Sequence, residues 1–262
     1  MNNYKKIILF FFFSIAFSAK AQDNYVIEVH GTETNNEHDI VFQLHACYVF
    51  NGVNNSSYGT VPSNHLWCSA LEFSHWFSNH FESSVVAYYA IGDNNRTNYT
   101  ATHFHNLLIL PKKYKLPFGL GVVADLGFQN KNYFADGITL EVAPIIDKQF
   151  SKLYASVNFS FVKSFDGYNK NQSLSFSPSF KINYLIQNKF APGIEYYSGL
   201  GTLNNIGPLN QQQHQVFFTL DGFNIGDWIL NFGYGFGVSP NTDKSLFKLI
   251  IGMKNKDKFG RL

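Results

Sequence analysis

Apolar and polar positions alternate along most of the chain after about residue 39. From Leu116 to Phe128, the residues Phe118, Leu120, Val122, Ala124, Leu126 and Phe128 alternate with Gly119, Gly121, Val123, Asp125 and Gly127. A β-strand sends successive side chains to opposite faces, so one face here is bulky and apolar and the other small or polar. Leu174 to Tyr184 reads the same way, with Leu174, Phe176, Phe180, Ile182 and Tyr184 set against Ser175, Ser177, Ser179, Lys181 and Asn183. Trp228 to Phe236 and Phe247 to Met253 repeat the pattern.

The alternation predicts twelve strands, over 39–50, 64–77, 81–92, 100–110, 116–128, 137–147, 152–163, 173–185, 189–200, 212–222, 227–237 and 245–254. A soluble β-sandwich would alternate too, but its strands run to about five or six residues. These are about twice as long and meet the roughly nine to eleven residues that a membrane-crossing strand needs. The connections also alternate in kind. Those at 78–80, 111–115, 147–152, 187–189 and 224–227 are short. Those at 51–63, 93–99, 129–136, 164–172, 201–211 and 238–244 are longer and rich in Asn, Gly, Ser or Asp. Short periplasmic turns, longer outer loops and an even strand count describe a bacterial single-chain barrel. The expected fold is all-β: a transmembrane antiparallel up-and-down β-barrel of about twelve strands, with both termini in the periplasm.

The first residues predict export. Lys5 and Lys6 precede an apolar run from Ile7 to Phe17, and Ala19-Lys20-Ala21 fits the small-x-small cleavage rule. The run is shorter than the roughly 20 apolar residues of a spanning helix, and no later segment approaches that length. The expected organisation is a signal peptide at 1–21, a polar periplasmic lead-in at 22–38, a barrel at 39–254 and a C-terminal tail at 255–262.

Composition agrees with lipid exposure. Aromatic residues make up 18% of the chain, with 28 Phe and 15 Tyr, and charged residues only 15%, against about 25% charge in a typical soluble domain. A membrane barrel wears such aromatics on its outer wall and at the two interfaces. Removing Lys5, Lys6 and Lys20 with the signal leaves 17 basic against 18 acidic residues. A net charge of about −1 argues against nucleic acid as a partner, since phosphate recognition needs a cationic surface.

Four stretches carry a further likeness: Thr102-His103-Phe104-His105-Asn106, Val142-Ala143-Pro144, Phe190-Ala191-Pro192-Gly193-Ile194-Glu195-Tyr196, and the closing strand from Phe247 to Met253. Through them residues 64–254 resemble a poorly characterised family of small Gram-negative outer-membrane β-barrel proteins. The resemblance implies the fold, the outer membrane as compartment, and outer-membrane lipid and the barrel assembly machinery as partners. It carries over no substrate and no catalytic residue. Such barrels usually end in an aromatic residue. Here the chain continues past Lys254 to Leu262, so the insertion signal is internal or atypical.

If the 51–63 loop is centred near residue 57 or 58, partner numbers across the first hairpin sum to about 115, and Cys47 faces Cys68. An exported protein meets an oxidising compartment, where such a bridge closes a loop worth about 3 kcal/mol; two reduced lumen thiols are the other reading. The same register turns Gln43, His45 and Glu72 inward and Phe42, Leu44, Tyr48, Trp67, Leu71 and Phe73 toward lipid. Other inward candidates are His103, His105, Asp125, Glu141, Asn158, Lys181, Asn183, Glu195, Asn231 and Lys248. A polar interior of mixed sign either lines a narrow water-filled passage or cross-links into a plug.

His103-x-His105 places two imidazoles on one face of a strand, a geometry that can bind zinc or copper, with His45 and Glu72 as further donors. Without an identified third ligand they read as lumen hydrogen-bonders, so no metal or cofactor is expected. No His-x-Ser occurs, the arrangement that outer-membrane lipases place on a strand, and no P-loop, dinucleotide or HExxH pattern occurs. The expected function is therefore a non-enzymatic narrow pore or binding barrel for a small solute. A closed structural or interaction barrel comes second, and a lipid-modifying enzyme third.

Overall fold

A computed structural model of the chain describes residues 25–54, 58–92, 96–186 and 189–255, with the side chains of 223–225 left out. Twelve long strands carry the fold. They are β1 (Ile40–Asn51), β2 (Trp67–Ser78), β3 (Phe81–Ile91), β4 (Thr97–Ile109), β5 (Gly119–Gln129), β6 (Ile138–Phe150), β7 (Leu153–Ser164), β8 (Ser175–Tyr184), β9 (Phe190–Gly199), β12 (Gln213–Ile225), β13 (Trp228–Gly237) and β14 (Ser245–Asn255). Two-residue strands β10 (Gly201–Thr202) and β11 (Asn205–Ile206) form a small hairpin in one outer loop. Each long strand lies within a few residues of its predicted range. The expected signal at 1–21 and the tail beyond Asn255 fall outside the described residues.

Every long strand pairs antiparallel with its sequence neighbour, β1 pairs with β14, and the β8–β9 pairing joins the two halves. The sheet closes on itself as a barrel, which leaves no unpaired long edge; within lipid that is the only way a sheet can satisfy its own backbone.

The wall separates two chemistries. Phe42 (50% exposed), Leu71 (54%) and Phe218 (59%) point outward with many other aromatic and aliphatic side chains. Trp67, Phe73 and Leu44 stand on the same outer face. Inward positions are smaller where a bulky neighbour needs the space. A Cβ on Gly235 would lie 2.5 Å from the Phe217 ring, closer than side-chain packing permits.

The interior departs from a uniformly polar lining. Toward the long-loop end an apolar cluster contains Cys47, Val49, Cys68, Ala70, Val86, Tyr88, Phe134, Tyr197, Phe217 and Leu246. Toward the short-turn end a second contains Val41, Trp76, Leu107, Ile109, Val123, Ala143 and Ile145. Charged and amide side chains occupy the band between them.

Residues 25–33 explain the first cluster. Part of the lead-in expected at 22–38, these residues run inside the lumen, with Tyr25, Ile27 and Val29 buried in the outer cluster. The reason is physical. This stretch also alternates, so its apolar side can cover the inner wall while Glu28 and His30 face the other way. The ring of Tyr25 stacks on Tyr88 at 5.3 Å and touches Phe134 at the same centroid distance.

Candidate functional site

The lumen segment is fastened along its length by wall side chains that bond its backbone. The His30 N–H donates to Asn158 Oδ1 (2.8 Å), and Asn158 Nδ2 donates back to the His30 carbonyl oxygen (2.8 Å). Ser156 Oγ donates to the same oxygen (2.6 Å). Lower down, the Thr32 N–H donates to Asp147 Oδ2 (2.6 Å), and Tyr154 OH donates to the same carboxylate (2.9 Å). On the opposite wall Lys248 Nζ donates to the Ile27 carbonyl oxygen (2.9 Å). An extended segment with no strand partner has orphan backbone groups, and these side chains take the place of a ladder.

Lys248 also belongs to a charge network spanning β8, β9, β12, β13 and β14. Its ammonium pairs with Glu195 and lies over the rings of Tyr197 and Phe217. Tyr197 OH donates to Glu195 Oε2 (2.5 Å). Lys181 Nζ lies 2.9 Å from Asp221 and 3.5 Å from Glu195. Asn183 and Asn231 both donate from Nδ2 to Asp221. Two acids and two lysines balance one another, which is what buried charge requires.

A second network crosses β1 to β5. His45 Nε2 lies 3.0 Å from Glu72, to which Ser74 Oγ donates (3.1 Å). His103 and His105 share Asp125 at 2.6 and 3.4 Å. The His30 ring sits 4.9 Å from that of His105. Among the described residues no group of three or more His, Cys, Asp or Glu side chains is set to hold a metal ion. His103 and His105 converge on a carboxylate between them.

The predicted lumen residues thus fall into groups. Lys181, Asn183, Glu195, Asn231 and Lys248 form one network; His45, Glu72, His103, His105 and Asp125 form the other; Asn158 grips the lumen segment. Gln43 lies on the inner wall outside both networks, and Glu141 stands opposite Asp125 in the β5–β6 register. Sequence reasoning passed over Asp221, Tyr197 and Asp147, although Asp221 and Asp147 each lie within a predicted strand or at its edge. It also passed over Glu28, His30 and Thr32, whose signal was the short alternation from Tyr25 to His30.

Cys47 and Cys68 are register partners across β1–β2. Both are buried.

At the short-turn end the lumen opens into a chamber of about 490 Å³ between the lumen segment and the wall. Its lining includes Glu28, His30, Gln43, Trp76, Lys181 and Asn231.

No protein-family model matches the sequence, and no curated protein matches it. Solved structures do. An outer-membrane channel from Pseudomonas putida F1 superposes with a TM-score of 0.61 at 11% identity, over 88% of this chain and 100% of that one. The KdgM porin gives 0.58 at 10% identity over 82% and 99%, and the NanC porin 0.51 at 11% over 82% and 100%. The chain has the fold of a Gram-negative outer-membrane β-barrel. The shared feature is the fold, and a fold alone does not assign a function.

Proposed function

We propose that the protein resides in the outer membrane and passes or binds a small solute, through a lumen controlled by its own N-terminal segment. The carrying observation is the chamber of about 490 Å³ at the short-turn end, walled by charged groups and ended by a segment that is docked through hydrogen bonds. The barrel likeness to porins supports the reading, and one of them, KdgM, has been solved in complex with disordered oligogalacturonate (TM-score 0.53, 10% identity). Export by cleavage after Ala21, insertion by the barrel assembly machinery and contact with outer-membrane lipid belong to the same proposal. N-terminal sequencing of envelope-derived protein should begin at Gln22.

The reading is one of transport and not of catalysis. Ser84, His105 and Asp125 stand in register on three adjacent strands. The Ser84 hydroxyl, however, is directed at the backbone oxygen of His105 (3.5 Å), and nucleophile activation needs the ring.

A closed structural barrel is the second reading, favoured by the apolar cluster that fills the outer half of the lumen. Planar bilayers separate the two. The mature protein should show rare conductance steps, and a variant lacking residues 22–33 frequent ones. Silence from both would remove the pore and leave the closed barrel.

A further inference from the structure

The lumen holds a stretch of polypeptide, and the wall grips it by its main chain. Five bonds end on backbone atoms of residues 27, 30 and 32. Asn158 makes a bidentate pair with the N–H and the carbonyl oxygen of His30, and Ser156 donates to the same oxygen. Asp147 accepts from the Thr32 N–H, and Lys248 donates to the Ile27 carbonyl oxygen. Every peptide carries these groups. Side chains enter at alternate positions, where Tyr25, Ile27 and Val29 fill the apolar outer cluster. Main-chain bonds for affinity, with pockets for alternate side chains, are how an extended peptide is recognised at a sheet edge. Here the wall's own side chains take the role of the edge.

A second feature restricts the shape of what fits. A Cβ on Gly31 would run into the Tyr154 hydroxyl, which is held in place by its bond to Asp147 (2.9 Å). The segment also follows the passage from end to end. Tyr25 lies in the cluster at the long-loop end, and Glu33 lines the chamber at the short-turn end. The lumen therefore admits an extended chain along its length and satisfies its buried backbone groups on the way.

We propose that the inner wall around Asn158, Ser156, Asp147 and Lys248 is a peptide-binding site that residues 25–33 occupy as an internal ligand. In their place it takes an extended peptide with apolar side chains at alternate positions and a glycine two residues beyond the last of them. The inference deepens the transport reading by naming the class of solute, and rests on it only for passage. A tethered segment competes at roughly millimolar effective concentration, so a free peptide enters once that segment is displaced.

Fluorescence anisotropy on the full mature protein in detergent tests it, with a labelled synthetic peptide of residues 25–34 as probe. Gly31→Val disfavours the protein's own segment and leaves the wall unchanged. This variant should bind the probe saturably, and roughly tenfold or more tighter than the wild-type protein does. Methylating the probe at its His30 backbone nitrogen removes the donor to Asn158 and should weaken binding roughly tenfold. With Asn158→Leu added to the protein, the two probes should bind alike. Ile27→Asp places a carboxylate in the outer cluster and displaces the segment by another route. It repeats the measurement if Gly31→Val lacks the heat-modifiable gel mobility of a folded barrel. No saturable binding by either variant, or equal binding of methylated and unmethylated probes, would overturn the inference. Conductance that the probe leaves unblocked would sink the peptide site alone, and probe binding by a protein that never conducts would sink the pore alone.

Discussion

The ammonium of Lys248 on β14 donates to the backbone oxygen of Ile27 at 2.9 Å, across 221 residues of sequence. The last strand therefore holds the segment that precedes the first. Because the same ammonium pairs with Glu195, one side chain joins the wall's charge network to the contents of the lumen. Lys248→Met should destabilise the barrel toward the upper range for a broken buried pair, about 3–5 kcal/mol, tempered because Lys181 lies 3.5 Å from Glu195. Urea unfolding in micelles measures the loss. Limited proteolysis should show earlier cutting within 25–33, and adding Glu195→Gln should restore part of the stability, as coupled neighbours do.

The barrel was legible because period-2 alternation persisted over runs long enough to cross a bilayer, and hairpin connectivity then fixed the neighbours. The register sum of about 115 across β1–β2 came from one loop centre, and Cys47 does face Cys68. The inner side of the wall was legible only in phase. Alternation turned Lys181 and Glu195 inward, but which lysine meets which acid depends on strands far apart in sequence. The lumen segment was not legible at all as a lumen segment. Residues 25–33 bury only three apolar side chains and bond the wall through Asn158, Asp147 and Lys248, and no local pattern encodes those contacts.

The outer belt predicts a depth-dependent response. Leu71 lies midway along β2 and Phe77 near its short-turn end, and both side chains face outward. A lysine at the bilayer midplane costs roughly 2–4 kcal/mol, and near an interface about 0–1. Leu71→Lys should therefore lower the unfolding free energy in lipid vesicles clearly more than Phe77→Lys. Equal losses at the two positions would contradict the placement of the belt.

Asp166 in the outer loop between β7 and β8 ties that loop to the preceding outer loop, between β5 and β6. Its carboxylate lies 2.7 Å from Lys131 Nζ and accepts from the N–H groups of Gly137 (2.7 Å) and Ile138 (2.6 Å). The Lys131 ammonium, aided by those two amides, holds the carboxyl below the usual carboxylate range. A depressed folded value means that the stabilisation is fully present above the unfolded pKa of about 4 and disappears as pH falls through the lower, folded value. The loop contact should be unchanged from neutral pH down to about 4 and loosen only below it. Amide exchange at Gly137 and Ile138 reads this directly. In Asp166→Asn exchange should be faster at neutral pH and lose its acid dependence.

The two cysteines make a sharper case than their opposition alone suggests. Val49 N–H donates to the Leu66 carbonyl oxygen (3.0 Å) and Trp76 N–H to that of Asp39 (3.0 Å), both on the register sum of Cys47 and Cys68. Hydrogen-bonded and non-hydrogen-bonded pairs alternate along an antiparallel ladder, so Cys47–Cys68 is of the hydrogen-bonded kind. There the Cβ atoms stand near the wide end of the roughly 4.5–5.5 Å cross-strand range, beyond the roughly 3.5–4.5 Å of a relaxed disulfide. A bond between the two sulfurs would therefore carry strain in the finished barrel. Its contribution should then fall below the roughly 3 kcal/mol expected for a loop of this length. Envelope-derived protein, denatured without reductant and treated with a maleimide-polymer conjugate, should gain no label; prior reduction should give two, and Cys47→Ser should give one in either case. Two labels without reduction would show that the pair stays as thiols inside the lumen cluster.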